Sequence, residues 1–229
     1  MTGLRNPFAI RNENVILIED LTANERGLNC LCQCPSCNGD FIARMGDVNI
    51  HHFAHSKDAC DEVIAYTSGL YRLIHQILMS GIPFYVPALT VSYSVPYNGV
   101  LNESNIDTHI RYVCENDDSP NKIVISKGKY IAFENVEICV DSKNHIEALE
   151  LIYKDNRMAI KVMPPDTVCK IASVSPHKDM ATLVVDFTAD ADIIQTSNSM
   201  AFQAYLLSER LSYEGRASSS CAQASSYKS

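Results

Sequence analysis

Cys34 and Cys37 are separated by Pro35 and Ser36, and His52 and His55 repeat that two-residue gap, with fourteen residues between Cys37 and His52. Pairs of this kind are ligands for a tetrahedral ion. Zinc takes four donors from Cys sulfur and His nitrogen, and a Cys-x2-Cys in a tight turn presents two sulfurs to one centre. Pro35 helps to set that turn, and the second pair must arrive from across a hairpin. The layout is that of a zinc ribbon with His replacing Cys in the second knuckle. Other donors lie close by. His51 with His55 has the wider spacing of a finger, Cys60 could replace either His, and Cys30 or Cys32 could compete with Cys34. The spacing favours Cys34, Cys37, His52 and His55. Four protein ligands close the shell, so the expected zinc is structural and contributes folding energy; a catalytic ion would keep a position open.

These residues need a scaffold. Phe41–Arg44 and Val48–Ile50 flank a Gly46-Asp47 turn signal, which predicts a hairpin between the two ligand pairs. Before them, Asn14–Glu19 reads as a short strand. From Asp61 to Ser80 apolar residues fall at Val63, Tyr66, Leu70, Leu73, Ile74 and Ile77, one face of a helix that Gly81 and Pro83 end. Strand signals follow at 82–95, 109–114, 122–126, 130–140, 147–153, 157–162 and 182–187, with a helical pattern over 198–211. The fold class is α+β with an α/β-like core. Three parts are expected: a zinc-binding module over 1–60, a domain over 61–212 and a Ser- and Ala-rich, disordered tail over 213–229.

Composition narrows the function. The 229 residues carry a net charge of −8, which argues against a broad, non-specific grip on nucleic acid but leaves room for a local basic groove. No apolar stretch is long enough to span a membrane, and the N-terminal segment lacks the apolar core of a signal peptide. Nine cysteines without an export signal point to the cytoplasm and to metal rather than disulfides; five of them fall between Cys30 and Cys60. Cys114, Cys139, Cys169 and Cys221 are scattered and read as small core or surface residues. His145 and His177 read as isolated surface or loop residues.

The run Cys34-Pro35-Ser36-Cys37, Phe41-Ile42-Ala43-Arg44 with Gly46, and His52-Phe53-Ala54-His55 resembles the competence protein CoiA-like family. The resemblance is best over residues 13–60 and weak to about 190. It implies a zinc-ribbon-like module followed by a restriction-endonuclease-like mixed sheet with flanking helices. In that fold, carboxylates on two neighbouring strands hold Mg²⁺ for cutting DNA.

This chain departs from the pattern. Where the family's first helix carries Glu, His and Lys, it has Thr67, Tyr71 and His75. The first-strand Asp maps to Leu149 or Glu150. Lys161 stands at the second-strand Glu, and Met163 at the Lys that follows. Taking Asp155-Asn156 as the turn between 146–153 and 157–162 sets Glu150 opposite Lys161, an ordinary cross-strand ion pair. The resemblance therefore implies a pseudo-nuclease, non-catalytic and acting in DNA processing, uptake or defence against foreign DNA. A protein partner such as an active enzyme subunit is expected, DNA is a second candidate, and no membrane is involved. Two other readings stand beside it. One is an active Mg²⁺-dependent DNase with a migrated site, drawing on Glu134, Glu137, Glu147, Asp166 or Asp186. The other is a structural subunit without nucleic-acid contact.

Overall fold

The computed structural model describes residues 5–57, 60–86, 89–93, 108–112, 122–154, 156–165, 168, 177 and 181–210. The expected tail, Cys114, Cys169 and Cys221 lie outside them. The chain opens with a hairpin of β1 (Phe8–Arg11) and β2 (Asn14–Leu17), turned by Asn12 and Glu13, both in the left-handed region. A second hairpin pairs β3 (Phe41–Arg44) with β4 (His52–His55), joining Phe41 to His55 and Arg44 to His52. The predicted partner of β3, Val48–Ile50, lies instead in the connection, where Val48 and Ile50 are exposed. Phe53 is the apolar residue that seals this hairpin, stacking on Phe41 across the strands.

Helix α1 (Glu62–Met79) follows. The Asp61 side chain caps it, accepting from the backbone N–H of Val63 at 2.7 Å and of Ile64 at 3.3 Å. Gly81, in the left-handed region, ends it after Ser80. Its buried face, Tyr66, Leu70, Leu73, Ile74 and Ile77, is the one the apolar spacing predicts.

Short strands β5 (Phe84–Val86) and β9 (Lys129–Ile131) pair with each other, and β6 (Leu89–Tyr93) lies between β7 (Thr108–Tyr112) and β8 (Lys122–Ser126). The main sheet has the order β10-β11-β12-β13: β10 (Asn135–Val140), β11 (Ile146–Tyr153), β12 (Asn156–Met163) and β13 (Thr182–Asp186). Its first three strands are antiparallel neighbours, and β13 runs parallel to β12. The chain then turns through α2 (Ala191–Thr196), α3 (Ser199–Tyr205) and a π-type turn over Leu206–Arg210.

Alternation along the sheet divides its two faces. Val136, Leu149, Leu151, Ile160, Val162, Leu183 and Val185 share one core with α1 and with Ile194, Phe202 and Leu206. Glu137, Glu150, Arg157, Lys161 and Thr182 lie on the other face. The register differs from the sequence expectation by two residues. Tyr153 pairs with Asn156 and Glu150 with Ala159, so the chain turns after Tyr153, with Lys154 in the left-handed region. A shift of two keeps every side chain on its face. It changes the neighbours, though. Lys161 now lies opposite Val184 of β13, and Glu150 takes Arg157 as its ion partner.

The N-terminal segment is built into this body. Phe8, Val15 and Leu17 enter the main core, while Ala9 and Ile18 enter a second core with Cys30, Cys32, Cys34, Phe41 and Phe53. Asp20 accepts from the Ser199 backbone N–H and hydroxyl, and Gln195 Nε2 donates to the His51 carbonyl at 2.7 Å.

Candidate metal centre

Cys34 and Cys37 sit in a knuckle closed by backbone hydrogen bonds from Cys34 N to Gly39 O and from Asn38 N to Cys34 O, with Asn38 in the left-handed region. The Ser36 N–H points at Cys34 Sγ, 3.4 Å away. Arg72 Nε, on α1, donates to the Pro35 carbonyl at 2.8 Å and clamps the knuckle to the helix. His55 enters from the end of β4 with its ring edge-on to Phe41. Cys60 enters from the residue immediately before the α1 cap. Cys34, Cys37, His55 and Cys60 bring four donor atoms within 4.8 Å of one another, a group that could hold a metal ion.

The edge lengths test the fit. Zn–S bonds of about 2.3 Å and Zn–N bonds of about 2.0–2.1 Å make a tetrahedron with S–S edges near 3.8 Å and S–N edges near 3.6 Å. Cys34 Sγ lies 3.6 Å from Cys60 Sγ, and His55 Nε2 lies 3.5 Å from Cys37 Sγ and 3.8 Å from Cys60 Sγ. Donor set and spacing are compatible with zinc. Behind the cluster, Glu62 Oε1 stands 3.4 Å from His55 Nδ1, the position of an outer carboxylate that fixes the ring and leaves Nε2 for the ion.

Electrostatics point the same way. Burial pushes the Cys34 thiol up to about 12 and raises Cys60 as well. Burial also opposes a Cys37 thiolate, but the backbone N–H groups of Cys60 and Gly39, together with His55, outweigh it and hold Cys37 at about 6. Three thiols so crowded resist ionising together unless a cation joins them.

Three of the four sequence-predicted ligands, Cys34, Cys37 and His55, are in this cluster. His52 is not. Residues three apart on a strand point to opposite faces, so β4 sends Phe53 and His55 inward and His52 outward, beside Arg44. His52 Nδ1 instead lies 3.0 Å from the Ile50 carbonyl. Cys60, weighed in the sequence as an alternative, stands in its place. The signal for it was local: a Cys directly before an Asp-capped helix is held as rigidly as the cap. The other candidates are engaged elsewhere. His51 Nδ1 is 2.9 Å from Glu19, Cys30 Sγ faces the Phe41 carbonyl, and Cys32 Sγ faces the Cys30 carbonyl.

The outward face of the same hairpin borders a cleft of about 640 Å³, lined among others by Arg5, Arg26, Arg44, Asn49 and His52. Among the described residues no Asp or Glu lines it. Arg26 and Arg44 are exposed, and Arg5 is held by a hydrogen bond from Nη1 to the Ile50 carbonyl.

The helix and sheet positions singled out by the family resemblance do structural work. The Tyr71 hydroxyl donates to the Glu147 carbonyl at 3.1 Å and accepts from Val162 N–H at 3.0 Å, pinning α1 to two strands. The His75 ring bonds the Val136 carbonyl at 3.0 Å. Glu150 is almost wholly buried, and its Oε1 accepts from Arg157 Nη1 at 2.6 Å.

The N-terminal segment thus carries a Cys/His group that could hold a metal ion, and one helix follows it into a mixed α+β body. Residues 23–62 match the family described as competence protein CoiA, N-terminal domain, a stretch that holds all four clustered donors and stops at the first residue of α1. No curated protein and no solved structure matches the chain. Among the described residues no helix is long and apolar enough to cross a membrane.

Proposed function

We propose that this chain is a non-catalytic, zinc-containing subunit that meets nucleic acid through its N-terminal module and acts beside a protein partner in DNA uptake, processing or defence. The observation that carries the reading is the cleft of Arg5, Arg26, Arg44, Asn49 and His52. It gathers three arginines and, among the described residues, no carboxylate in a chain of net charge −8. Guanidiniums grouped in this way suit phosphodiester oxygens, which they meet with paired N–H donors. The zinc, held by Cys34, Cys37, His55 and Cys60, would fix the hairpin that presents Arg44 and His52. The name of the family that residues 23–62 match supports a setting in competence.

The pseudo-nuclease half of the reading rests on the sheet. At the positions of the family's metal carboxylates stand Leu149 or Glu150, the latter paired with Arg157, and Lys161, whose ammonium would repel Mg²⁺. Tyr71 and His75 on α1 are committed to backbone groups of the strands. A helix followed by three antiparallel-linked strands and a fourth parallel to the third is also the kind of mixed sheet the resemblance implies.

The test is a binding titration on single- and double-stranded DNA, with Mg²⁺ or Mn²⁺ present and cleavage read in parallel. Three arginines on three phosphates give a salt slope of about −2.7 on duplex, so raising salt from 50 to 200 mM weakens binding by about 40-fold. Arg26→Ala with Arg44→Ala flattens that slope by about 2 units. Cleavage that an alanine at Glu150 abolishes would refute the pseudo-nuclease. DNA binding that the double variant leaves unchanged would refute the cleft.

A further inference from the structure

The polar face of the main sheet carries a second group of metal-type donors. We propose that Cys139, Glu150 and His177 bind a zinc-class divalent ion. Cys139 comes from β10, Glu150 from β11, and His177 from the chain before β13. Their sulfur, carboxylate oxygen and ring nitrogen all lie within 4.8 Å of one another. Cys139 Sγ is 3.8 Å from Glu150 Oε2, close to the edge of about 3.6 Å that a Zn–S arm and a Zn–O arm make in a tetrahedron.

Each donor is aimed by a neighbour. Arg157 holds Glu150 Oε1 at 2.6 Å, which leaves Oε2 turned toward Cys139. The pairing of β10 with β11 shifts between Cys139 and Val140, so that Ile146, Glu147 and Ala148 face only two residues. A bulge of this kind re-aims a side chain. Here it carries Glu147 Oε1 to 3.5 Å from His177 Nδ1. A carboxylate on one ring nitrogen leaves the other for a metal, the same relay that Glu62 forms with His55 in the front cluster. The His177 backbone N–H donates to Thr182 Oγ1 at 3.0 Å and fixes the residue over the strands. The His177 side chain is only 2% exposed, so the sequence expectation of a surface or loop residue is corrected.

Charge and donor type select the ion. A thiolate and a carboxylate carry the two negative charges that a divalent cation needs, with Arg157 sharing that carboxylate through Oε1. Sulfur among the donors favours zinc and disfavours magnesium, which takes oxygen ligands. Three protein ligands leave a fourth position for water. Only Glu150 comes from a position to which the family resemblance assigns a Mg²⁺ ligand, and the inference does not depend on the basic cleft.

Zinc content decides it. Full-length protein is expressed with zinc, purified without chelator and assayed by elemental analysis as wild type, Cys139→Ser, His177→Gln and Cys34→Ser. The expected result is two zinc ions per chain in the wild type and one in each variant, with Co²⁺ filling the wild type in two spectral phases. Magnesium in thousandfold excess should displace neither ion. A wild-type chain that holds one zinc, lost in Cys34→Ser, overturns the proposal, as does a full complement of two in both Cys139→Ser and His177→Gln. One zinc lost in His177→Gln but kept in Cys34→Ser would support this site and overturn the front one. If either variant fails to fold, by its far-UV dichroism, the wild-type stoichiometry and the number of Co²⁺ phases still decide.

Discussion

Replacing Cys60 by alanine tests how the front cluster is built, because the sequence spacing and the structure disagree about the fourth ligand. In the structure, Cys60 Sγ forms tetrahedral edges of 3.6 Å with Cys34 and 3.8 Å with His55, while His52 points off the opposite face of β4. Structural zinc is bound with about 10–16 kcal/mol, so an even share among four ligands is about 2.5–4 kcal/mol each. At about 1.4 kcal/mol per tenfold, Cys60→Ala should weaken zinc binding by about 10² to 10³. His52→Ala should change it by less than about threefold, since only a surface imidazole is lost. The assay is competition with a chromophoric chelator on the full chain in the His177→Gln background, so that one class of site is titrated, with Cys37→Ala as reference. If His52→Ala behaved like Cys37→Ala while Cys60→Ala kept native affinity, the ligand set derived from strand alternation would be wrong.

Two further outcomes follow from packing and burial. A Cβ on Gly69 would lie 2.7 Å from Phe8 Cγ and 3.0 Å from its Cδ2, at the crossing of α1 and β1. Overpacking of about 3 kcal/mol, less about 1 kcal/mol of gained helix propensity, predicts that Gly69→Ala lowers the melting temperature by about 4–8 °C. An unchanged or raised melting temperature would contradict the close approach. Burial, with Arg72 nearby, holds His75 below its usual value of 6.5, although its bond to the Val136 carbonyl works the other way. The unfolded chain therefore takes up a proton at a pH where the native one does not, and stability falls as pH drops below about 6.5. His75→Gln should flatten the melting temperature between pH 6.5 and 5 relative to wild type; parallel profiles would show that His75 does not contribute to that slope.

What could be read in the sequence was what local rules determine. The span of α1 follows from its apolar spacing and from Asp61, and the Cys34–Cys37 knuckle follows from Cys-Pro-x-Cys. The strand pattern around 146–163 is strong enough to place both strands within a residue. The misses share one cause, since each turned on which side of a strand a residue faces or which residue it meets. A His-x2-His spacing suits a turn or helix, and on β4 it splits the pair. The β11–β12 hairpin was counted from Asp155-Asn156 because both residues favour turns, whereas Lys154 takes the left-handed position. Cys139 and His177 read as unrelated because they lie far apart in the chain; the bulge at Glu147 and the bond from His177 N–H to Thr182 of β13 are features of the fold that a linear reading does not show. Whether the chain serves competence, and with which partner, was suggested by resemblance alone.

Cys60, Asp61 and Glu62 follow one another as the residue before the cap, the cap and the first residue of α1, while Tyr71 further along the same helix pins β11 and β12. A fragment ending at residue 60 would keep every front cysteine yet sever one of them from the cap that aims it. It would also discard Glu62, Arg72 and the apolar surface on which Phe8 and Leu17 rest. This module is therefore no detachable cassette. Any chimera that borrows it must carry the chain through Met79, and the graft point that preserves it lies beyond Gly81.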